Sequence, residues 1–272
     1  MTRILDYTGN SQERTTTVAE LRTLRTTGRQ LTQTTAGTAE EAAAAEAAGI
    51  DMIACLGQAV PEVRQGTSKL FVSAAIDFQG AVTPYDLLRD AFAALEAGAD
   101  AVITARGLDC VRTLVADDLP VMGHLGFIPK KATLYGGVRS VGKTAAEARA
   151  LWADFQALED AGAFAVECEL IPANLMAEIQ KRTGLTTVSL GSGPDADVMF
   201  LFQNDVCGEG PFKPRHARAY ADLNALHAQI QSERVRALGE WRSDVASGAF
   251  PAADEVNETP AAELAAFLDD LD

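Results

Sequence analysis

Two glutamates, Glu167 and Glu169, lie in an apolar run between residues 164 and 172 that is typical of a β-strand followed by a loop. Side chains two positions apart on a strand point to the same side. Two carboxylates at one strand end repel each other, and this repulsion raises the pKa of one of them toward the range of a general base. We therefore predict that Glu169 is the catalytic base. The alternative interpretation is a rim carboxylate that pairs with a nearby cation.

His124 directly follows an apolar run at residues 119–122 and begins a loop rich in glycine and cationic residues. Its imidazole is able to polarise a carbonyl or hold a carboxylate, and a hydrogen-bonded structural histidine is the alternative. Residues 119–146 contain no acidic side chain, in a protein of net charge -15. This pattern predicts an anion-binding mouth in which Lys130 and Arg139 bind substrate. A solvated loop is the alternative.

Polar residues also follow the other predicted strands, in the position where parallel barrels carry their reactive groups. The further candidates for substrate binding are Gln58, Asp77, Arg106 and Ser192. Arg106 offers a guanidinium that can bind a carboxylate or stabilise an enolate. Ser192 lies between two glycines, where backbone N–H groups can approach an anion. The histidines and cysteines show no metal-ligand spacing, so the sequence predicts no metal site.

Short apolar runs alternate with alanine-rich segments of helical periodicity, which predicts a parallel sheet covered by helices. Seven or eight such units predict an α/β fold of the (β/α)8 TIM barrel type rather than an open sheet. No dinucleotide-binding glycine fingerprint follows the first strand, which weakens the doubly wound alternative. The predicted strands are 30–36, 50–56, 70–76, 101–104, 119–122, 163–168, 185–190 and 198–202.

The barrel leaves a segment at each end of the chain. Residues 1–29 form an N-terminal segment whose helix, near 18–24, is expected to plug the barrel floor. The barrel core spans 30–214, and C-terminal helices at 215–250 complete it, within a helical stretch broken at Gly239. Residues 251–272 form an acidic tail, interpreted as a solvated helix or a disordered end.

The composition limits the classes of function. A chain of 272 residues with 47% hydrophobic residues can bury a full core. A sequence pI of about 4.6 argues against a nucleic-acid partner. The start has no signal-peptide pattern, no segment is long enough to span a membrane, and the four cysteines form no pair. These features predict a cytoplasmic protein with reduced thiols that acts on a small molecule.

Five segments together resemble the ketopantoate hydroxymethyltransferase family: GHLGFIPKKATLYGGVRSVGKT, AVECELIP, VSLGSGPDADVMFLFQND, PFKPRHAR and SGAFP. The resemblance covers residues 30–251. It implies a barrel of the phosphoenolpyruvate-binding type and a homo-oligomer, usually a decamer. It also implies transfer of a hydroxymethyl group from methylene-tetrahydrofolate to 3-methyl-2-oxobutanoate, a small carboxylate held by Mg²⁺. By this resemblance the catalytic glutamate is Glu169, the active-site histidine is His124 and the late aspartate is Asp205, while Asn204 replaces a histidine.

The first half of the chain departs from the family pattern. The family motifs V-G-D-S, A-D-L-P-F and K-I-E-G correspond here to residues 55–58, 74–78 and 103–106. Gly57, Ala75 and Ala105 therefore stand where the family has carboxylates, and the lysine is also absent. The segment from 57 to 69 is shorter than in the family, which predicts a missing helix. A site without these carboxylates is not expected to hold Mg²⁺, although Asp77 is a substitute ligand if the strand shifts locally.

Three hypotheses follow for the function. The first is an enzyme that performs aldol-type carbon–carbon chemistry on a 2-oxo acid or related small carboxylate. In this hypothesis Glu169 is the base, and His124 and Arg106 bind the substrate. The second is a ketopantoate-forming hydroxymethyltransferase with unusual metal ligation. The third is a non-catalytic relative that binds a small molecule or supports an oligomer.

Overall fold

The structure, a computed structural model, describes residues 1–76 and 80–271. Eight of its strands close into a parallel barrel, in which each strand pairs with the next and the last pairs with the first. The strands are β1 (Thr2–Leu5), β2 (Ser11–Arg14), β3 (Leu31–Thr35), β4 (Met52–Leu56), β5 (Phe71–Ala75), β6 (Ala101–Ile103), β7 (Val121–Gly126), β8 (Ala165–Glu169), β9 (Thr186–Leu190) and β10 (Val198–Phe200). The barrel consists of β3 to β10, so the predicted TIM barrel is confirmed.

In the described part of the chain, six helices connect barrel strands and cover the outer face of the barrel: α2 (Ala39–Ala47), α3 (Val60–Gly66), α4 (Pro84–Glu96), α5 (Leu108–Ala116), α6 (Ala145–Asp160) and α7 (Ala173–Gln180). The helix α1 (Val18–Thr27) precedes the barrel, and α8 (Gln203–Cys207), α9 (Leu223–Ser247) and α10 (Ala261–Asp269) follow its last strand. Short 3₁₀ turns at Gly57–Ala59 and Pro129–Lys131 follow β4 and β7. Within the described residues, no helix combines the length and the apolar character needed to cross a bilayer.

The core has two layers, as the continuous apolar strands require. One layer lies between strands and helices, and Leu87, Phe155 and Met176 are among its buried members. The other fills the barrel interior with Met52, Phe71 and other large side chains. Leu21 and Leu24 of α1 belong to this interior cluster. The expected N-terminal plug is thus present, because α1 contributes apolar side chains to the inside of the barrel.

A buried ionic cluster ties the N-terminal segment to the barrel strands. The carboxylate of Asp100 lies 2.7 Å from the Nε atom of Arg14 and 2.6 Å from an Nη atom of Arg64. It also accepts a hydrogen bond from the backbone N–H of Val72 at 2.9 Å. The Arg14 side chain is only 3% exposed, so both cations depend on this one carboxylate for compensation.

A second ionic cluster joins the plug helix to the last barrel strands. Arg25 of α1 contacts Asp197 at 3.1 Å, although the two residues are 172 positions apart. Asp197 in turn accepts a hydrogen bond from the backbone N–H of Thr187 in β9 at 2.8 Å. The first helix and the end of the barrel are therefore connected directly.

Three features differ from the sequence expectations. The strands β1 and β2 form an antiparallel hairpin that was not predicted, because their short polar sequences lack an apolar alternation. The short segment after β4 still contains α3, so the expected loss of a helix was wrong. The helix α9 continues through Gly239 without a break, since a single internal glycine costs only about 1 kcal/mol.

The chain divides into two compact units, one of residues 1–207 with 212–220, and one of residues 208–211 with 221–272. The second unit contains α9 and α10. Asp222 caps the start of α9, and Trp241 makes an edge contact with Phe250 at 6.5 Å between ring centroids. The acidic tail thus includes a helix, α10. The assignment of 215–250 as helices that complete the barrel remains a prediction.

Candidate active site

Three ionisable side chains meet at the carboxyl ends of β7 and β8. His124 lies opposite Glu167 in the β7–β8 ladder, and Gly126 lies opposite Glu169. The Nε2 atom of His124 is 3.1 Å from an oxygen of Glu169 and 4.0 Å from an oxygen of Glu167. The alternation of β8 places both glutamates on the inner side, as the sequence suggests. The structure therefore brings together the predicted base and the predicted histidine.

Burial and mutual contact set the protonation of this cluster. Burial raises the pKa of Glu167, which is 7% exposed, and the neighbouring Glu169 adds to this while His124 opposes it. Burial alone lowers the pKa of His124. However, the hydrogen bond to Glu169, the charges of both glutamates and a hydrogen bond to the Phe127 backbone outweigh it, so this pKa lies above its ordinary value. The arrangement favours an imidazolium between two carboxyl groups.

The cluster lies at one side of a cavity of about 520 Å³ in the barrel mouth. The other walls are mostly apolar. They include Ala54, Leu56, Ala75, Ile103, Phe200 and Phe202. Lys130 and Gln58 also line this cavity, so these two predicted binding residues lie in the same cavity as Glu169. The cavity can hold a small carbonyl compound with an aliphatic part against the apolar wall and its reactive carbon near Glu169.

The predicted arginines lie in a neighbouring cavity of about 380 Å³. Arg106 donates hydrogen bonds to the carbonyl oxygens of Ala81 and Val82, each at 2.8 Å. Arg139 contacts Glu147 at 2.8 Å, and its hydrogen bond holds the pKa of that carboxyl well below the ordinary value. The Arg106 guanidinium thus holds the backbone of the segment before α4, and that of Arg139 pairs with the first turn of α6. The structure does not bring them to the cavity that contains Glu169, although His124 lines both cavities.

Ser192 is fully buried and its hydroxyl is occupied by backbone groups. The Oγ atom donates to the carbonyl of Cys168 at 2.7 Å and accepts from the backbone N–H of Ile171 at 2.9 Å. It therefore joins the loop after β9 to the end of β8 instead of reaching the mouth. This contact supports the strand end that carries Glu169. No local sequence pattern indicates this contact, because the two segments are more than twenty residues apart.

Two other predicted positions lie elsewhere. Asp77 falls outside the described residues. Asp205 lies in the short helix α8 and does not line the cavity that contains Glu169. Its backbone N–H bonds to the side chain of the neighbouring Asn204 at 3.0 Å.

Gly126 permits the close approach of β7 to the end of β8. Its φ of +90° is unfavourable for other residues, and a Cβ atom there would press against the carbonyl oxygen of Glu169 and lie 2.8 Å from Ile171. The next residue, Phe127, donates its backbone N–H to that same carbonyl at 2.8 Å. A glycine is thus required where the two strands position His124 and Glu169.

Replacing Gly126 with alanine is expected to lower the free energy of unfolding by about 2–4 kcal/mol, because backbone strain and a steric clash add together. Gly136→Ala is the matched control, since Gly136 also has a positive φ, +75°, but has no atom within 4 Å of a built Cβ. That variant should lose only about 1 kcal/mol, from backbone strain alone. Urea denaturation of both variants measures the difference, and equal losses would contradict the argument.

The magnesium ion that the family resemblance implies does not fit the described mouth. Gly57, Ala75 and Ala105 stand at the positions of the family carboxylates, and their side chains offer no donor atom. One oxygen each from Glu167 and Glu169 and one ring nitrogen of His124 do lie within 4.8 Å of one another. Magnesium prefers an octahedron of oxygen ligands, whereas imidazole suits other metals. The donor set therefore disagrees with a magnesium site.

Comparison with known proteins gives consistent matches. The sequence profile described as ketopantoate hydroxymethyltransferase matches residues 56–253. A Chloroflexus aurantiacus protein named 3-methyl-2-oxobutanoate hydroxymethyltransferase is 37% identical over 215 residues, 77% of this chain and 74% of that protein. A Roseiflexus sp. protein of the same name is 41% identical over 180 residues, 65% of this chain and 62% of that protein.

The solved structures that resemble the chain agree with its fold. A 2,3-dimethylmalate lyase, described as a PEP mutase/isocitrate lyase superfamily member, has a TM-score of 0.51 and 15% identity. The alignment covers 93% of this chain and 98% of that one. At this level of identity the likeness supports the barrel fold alone.

Proposed function

Because the chain belongs to the ketopantoate hydroxymethyltransferase family, and is thus an aldol-type transferase, we propose that it adds a hydroxymethyl group to the carbon next to the carbonyl of a small 2-oxo acid. The observation that carries this proposal is the contact of 3.1 Å between His124 and Glu169 in the mouth cavity. This contact supports the proposal, because a carboxylate that can act as a base and an imidazole that can donate a hydrogen bond meet at the carboxyl ends of two barrel strands, where such barrels carry out their chemistry.

The chemistry begins with removal of a proton from the carbon beside the carbonyl. Glu169 takes this proton, and negative charge develops on the carbonyl oxygen as the enolate forms. An N–H donor in a buried, water-poor site stabilises such an oxyanion, and the Nε2 atom of His124 is placed to supply it. Methylene-tetrahydrofolate, the donor that the family resemblance implies, would supply the one-carbon unit: both of its C–N bonds would break, water would supply the hydroxyl oxygen, and the new C–C bond would form to the enolate carbon.

The cavity walls support a short aliphatic 2-oxo acid as the acceptor. Apolar side chains such as Ile103 and Phe200 face the part of the cavity where a branched alkyl group would lie. Lys130 lines the same cavity and supplies a positive charge for the substrate carboxylate. An open cavity with a base and a cation gives no support to a non-catalytic role.

Proton NMR of 3-methyl-2-oxobutanoate with the protein in D₂O tests the first step without the one-carbon donor. The expected result is protein-dependent loss of the C3 proton signal. Addition of methylene-tetrahydrofolate should then give the hydroxymethylated product. Absence of both exchange and product, for this acid and for its straight-chain and longer homologues, would refute the proposed function.

A further inference from the structure

The part of the mouth that faces the ionisable cluster is apolar where a metal-dependent site needs ligands. Ala75 lines the cavity, and Gly57 begins the turn that follows β4. Neither side chain has an oxygen, and the neighbouring Leu56 and Ile103 continue the apolar surface. A divalent ion at this wall would find no anionic ligand among the described residues. Among the described residues, the positive charge that can stabilise an enolate therefore lies elsewhere in the mouth.

The described mouth offers one cation that is held in place by two carboxylates. His124 lies between Glu167 and Glu169, with its side chain only 11% exposed. Glu167 has no hydrogen-bond donor among the described residues, and its nearest cationic atom is the Nε2 of His124 at 4.0 Å. A buried carboxylate without a hydrogen bond is unfavourable unless a cation compensates it. Glu167 is therefore a positioning residue that favours a charged imidazole.

We propose that the imidazolium of His124, held by Glu167 and Glu169, takes the place of a divalent metal as the group that stabilises the enolate, so that this enzyme enolises its substrate without a metal ion. This inference rests on the proposed function, because it concerns the same reaction at the same site. The inference goes beyond the proposed function by assigning the source of the positive charge that stabilises the enolate.

The substrate and the described residues account for every proton and electron pair in this step. The C–H bond beside the carbonyl breaks, and its proton passes to a carboxylate oxygen of Glu169. The electron pair of that bond forms the C=C bond, and the π electrons of the carbonyl move to its oxygen. This oxygen then accepts a hydrogen bond, or the proton itself, from Nε2 of His124. No oxidant, reductant or external cation is required.

A transition metal bound by the same three side chains is the competing interpretation. Two carboxylates and an imidazole do suit such a metal. However, a metal held by both glutamates would occupy Glu169, the group that must accept the proton. The metal and the base would compete for one carboxylate, whereas the imidazolium leaves one oxygen of Glu169 available.

The first test is the C3 exchange assay on the full chain after treatment with EDTA and removal of the chelate. Exchange should remain within about twofold of the untreated rate. A loss of tenfold or more that Mg²⁺, Mn²⁺ or Zn²⁺ restores would overturn the inference while leaving the proposed function intact. Absence of exchange both before and after EDTA would refute the proposed function, and this inference with it.

The second test measures metal binding without any assay of activity. The double variant Ala75→Asp/Ala105→Asp places carboxylates at two residues that line the cavity. Calorimetric titration with Mn²⁺ should show binding to this variant at least tenfold tighter than to wild type. The matched control is Ala75→Asn/Ala105→Asn, which adds similar volume without charge and should resemble wild type.

Calorimetry also gives results that would contradict the inference. Tight Mn²⁺ or Zn²⁺ binding by wild type that His124→Gln abolishes would assign the cluster to a metal. Equal binding by wild type and the aspartate variant would show that the apolar wall does not exclude metal. Weak binding by wild type, with a gain in the aspartate variant alone, is the expected pattern.

Discussion

Replacing Glu169 with glutamine should reduce the rate of C3 proton exchange roughly 10²- to 10⁴-fold, the range in which positioned acid–base groups contribute. Glutamine keeps the shape of the side chain and can still accept a hydrogen bond from His124 through its amide oxygen. It cannot accept the substrate proton, because an amide is a far weaker base than a carboxylate. The exchange assay by proton NMR measures this effect directly.

Glu178→Gln is the matched control for this change. Glu178 lies on the exposed face of α7, where it pairs with Lys181 and Arg182 at the surface. Its replacement should leave the exchange rate unchanged within a factor of about two, since surface pairs contribute little. If Glu169→Gln retained more than a tenth of the wild-type rate, another group would have to be the base.

Asp100→Asn is expected to have the largest effect on stability, lowering the free energy of unfolding by about 3–5 kcal/mol. Asp100 compensates the guanidinium groups of Arg14 and Arg64, which lie within 2.7 Å of its oxygens. The side chains of Arg14 and Arg64 are 3% and 13% exposed, so water does not replace the lost charge. Asparagine would leave two buried cations facing a neutral amide. Urea denaturation followed by circular dichroism gives the loss.

Asp109→Asn is the matched control, because it removes a carboxylate from a surface ion pair instead of a buried one. Asp109 pairs with Arg112 at 3.3 Å, but its side chain is 93% exposed. The variant should change the free energy of unfolding by less than about 0.5 kcal/mol. A similar loss in both variants would mean that burial does not determine the strength of the Asp100 cluster.

Local patterns in the sequence were sufficient for the barrel. Most barrel strands are short apolar runs followed by a helix, although β3 is largely polar and no helix separates β9 from β10. Period-two alternation in β8 correctly placed Glu167 and Glu169 on one side. His124 and Glu169 come from adjacent parallel strands, so their ends had to meet. These features depend on contacts between elements that follow one another along the chain, so the local periodicity of the sequence was sufficient to predict them.

Other features depend on contacts between distant segments and had no local signal. Arg106 was expected at the substrate, but its guanidinium holds the backbone of the segment before α4. Ser192 was expected to contact an anion, but it joins two loops inside the protein. A polar side chain at a strand end has several possible partners, and only the three-dimensional packing decides among them.

The closure of the barrel by β10 has a consequence for the synthesis of this protein. The strand β10, Val198–Phe200, pairs in parallel with residues 31–33 of β3, so the first barrel strand gains its second partner only when the last one is present. On the ribosome, β3 therefore has an unpaired edge until about residue 200 has left the exit tunnel. Such an edge invites pairing with other chains. The ion pair between Arg25 and Asp197 also forms only at this late stage of synthesis. A nascent chain stalled before this stage would therefore be a substrate for chaperones and proteases.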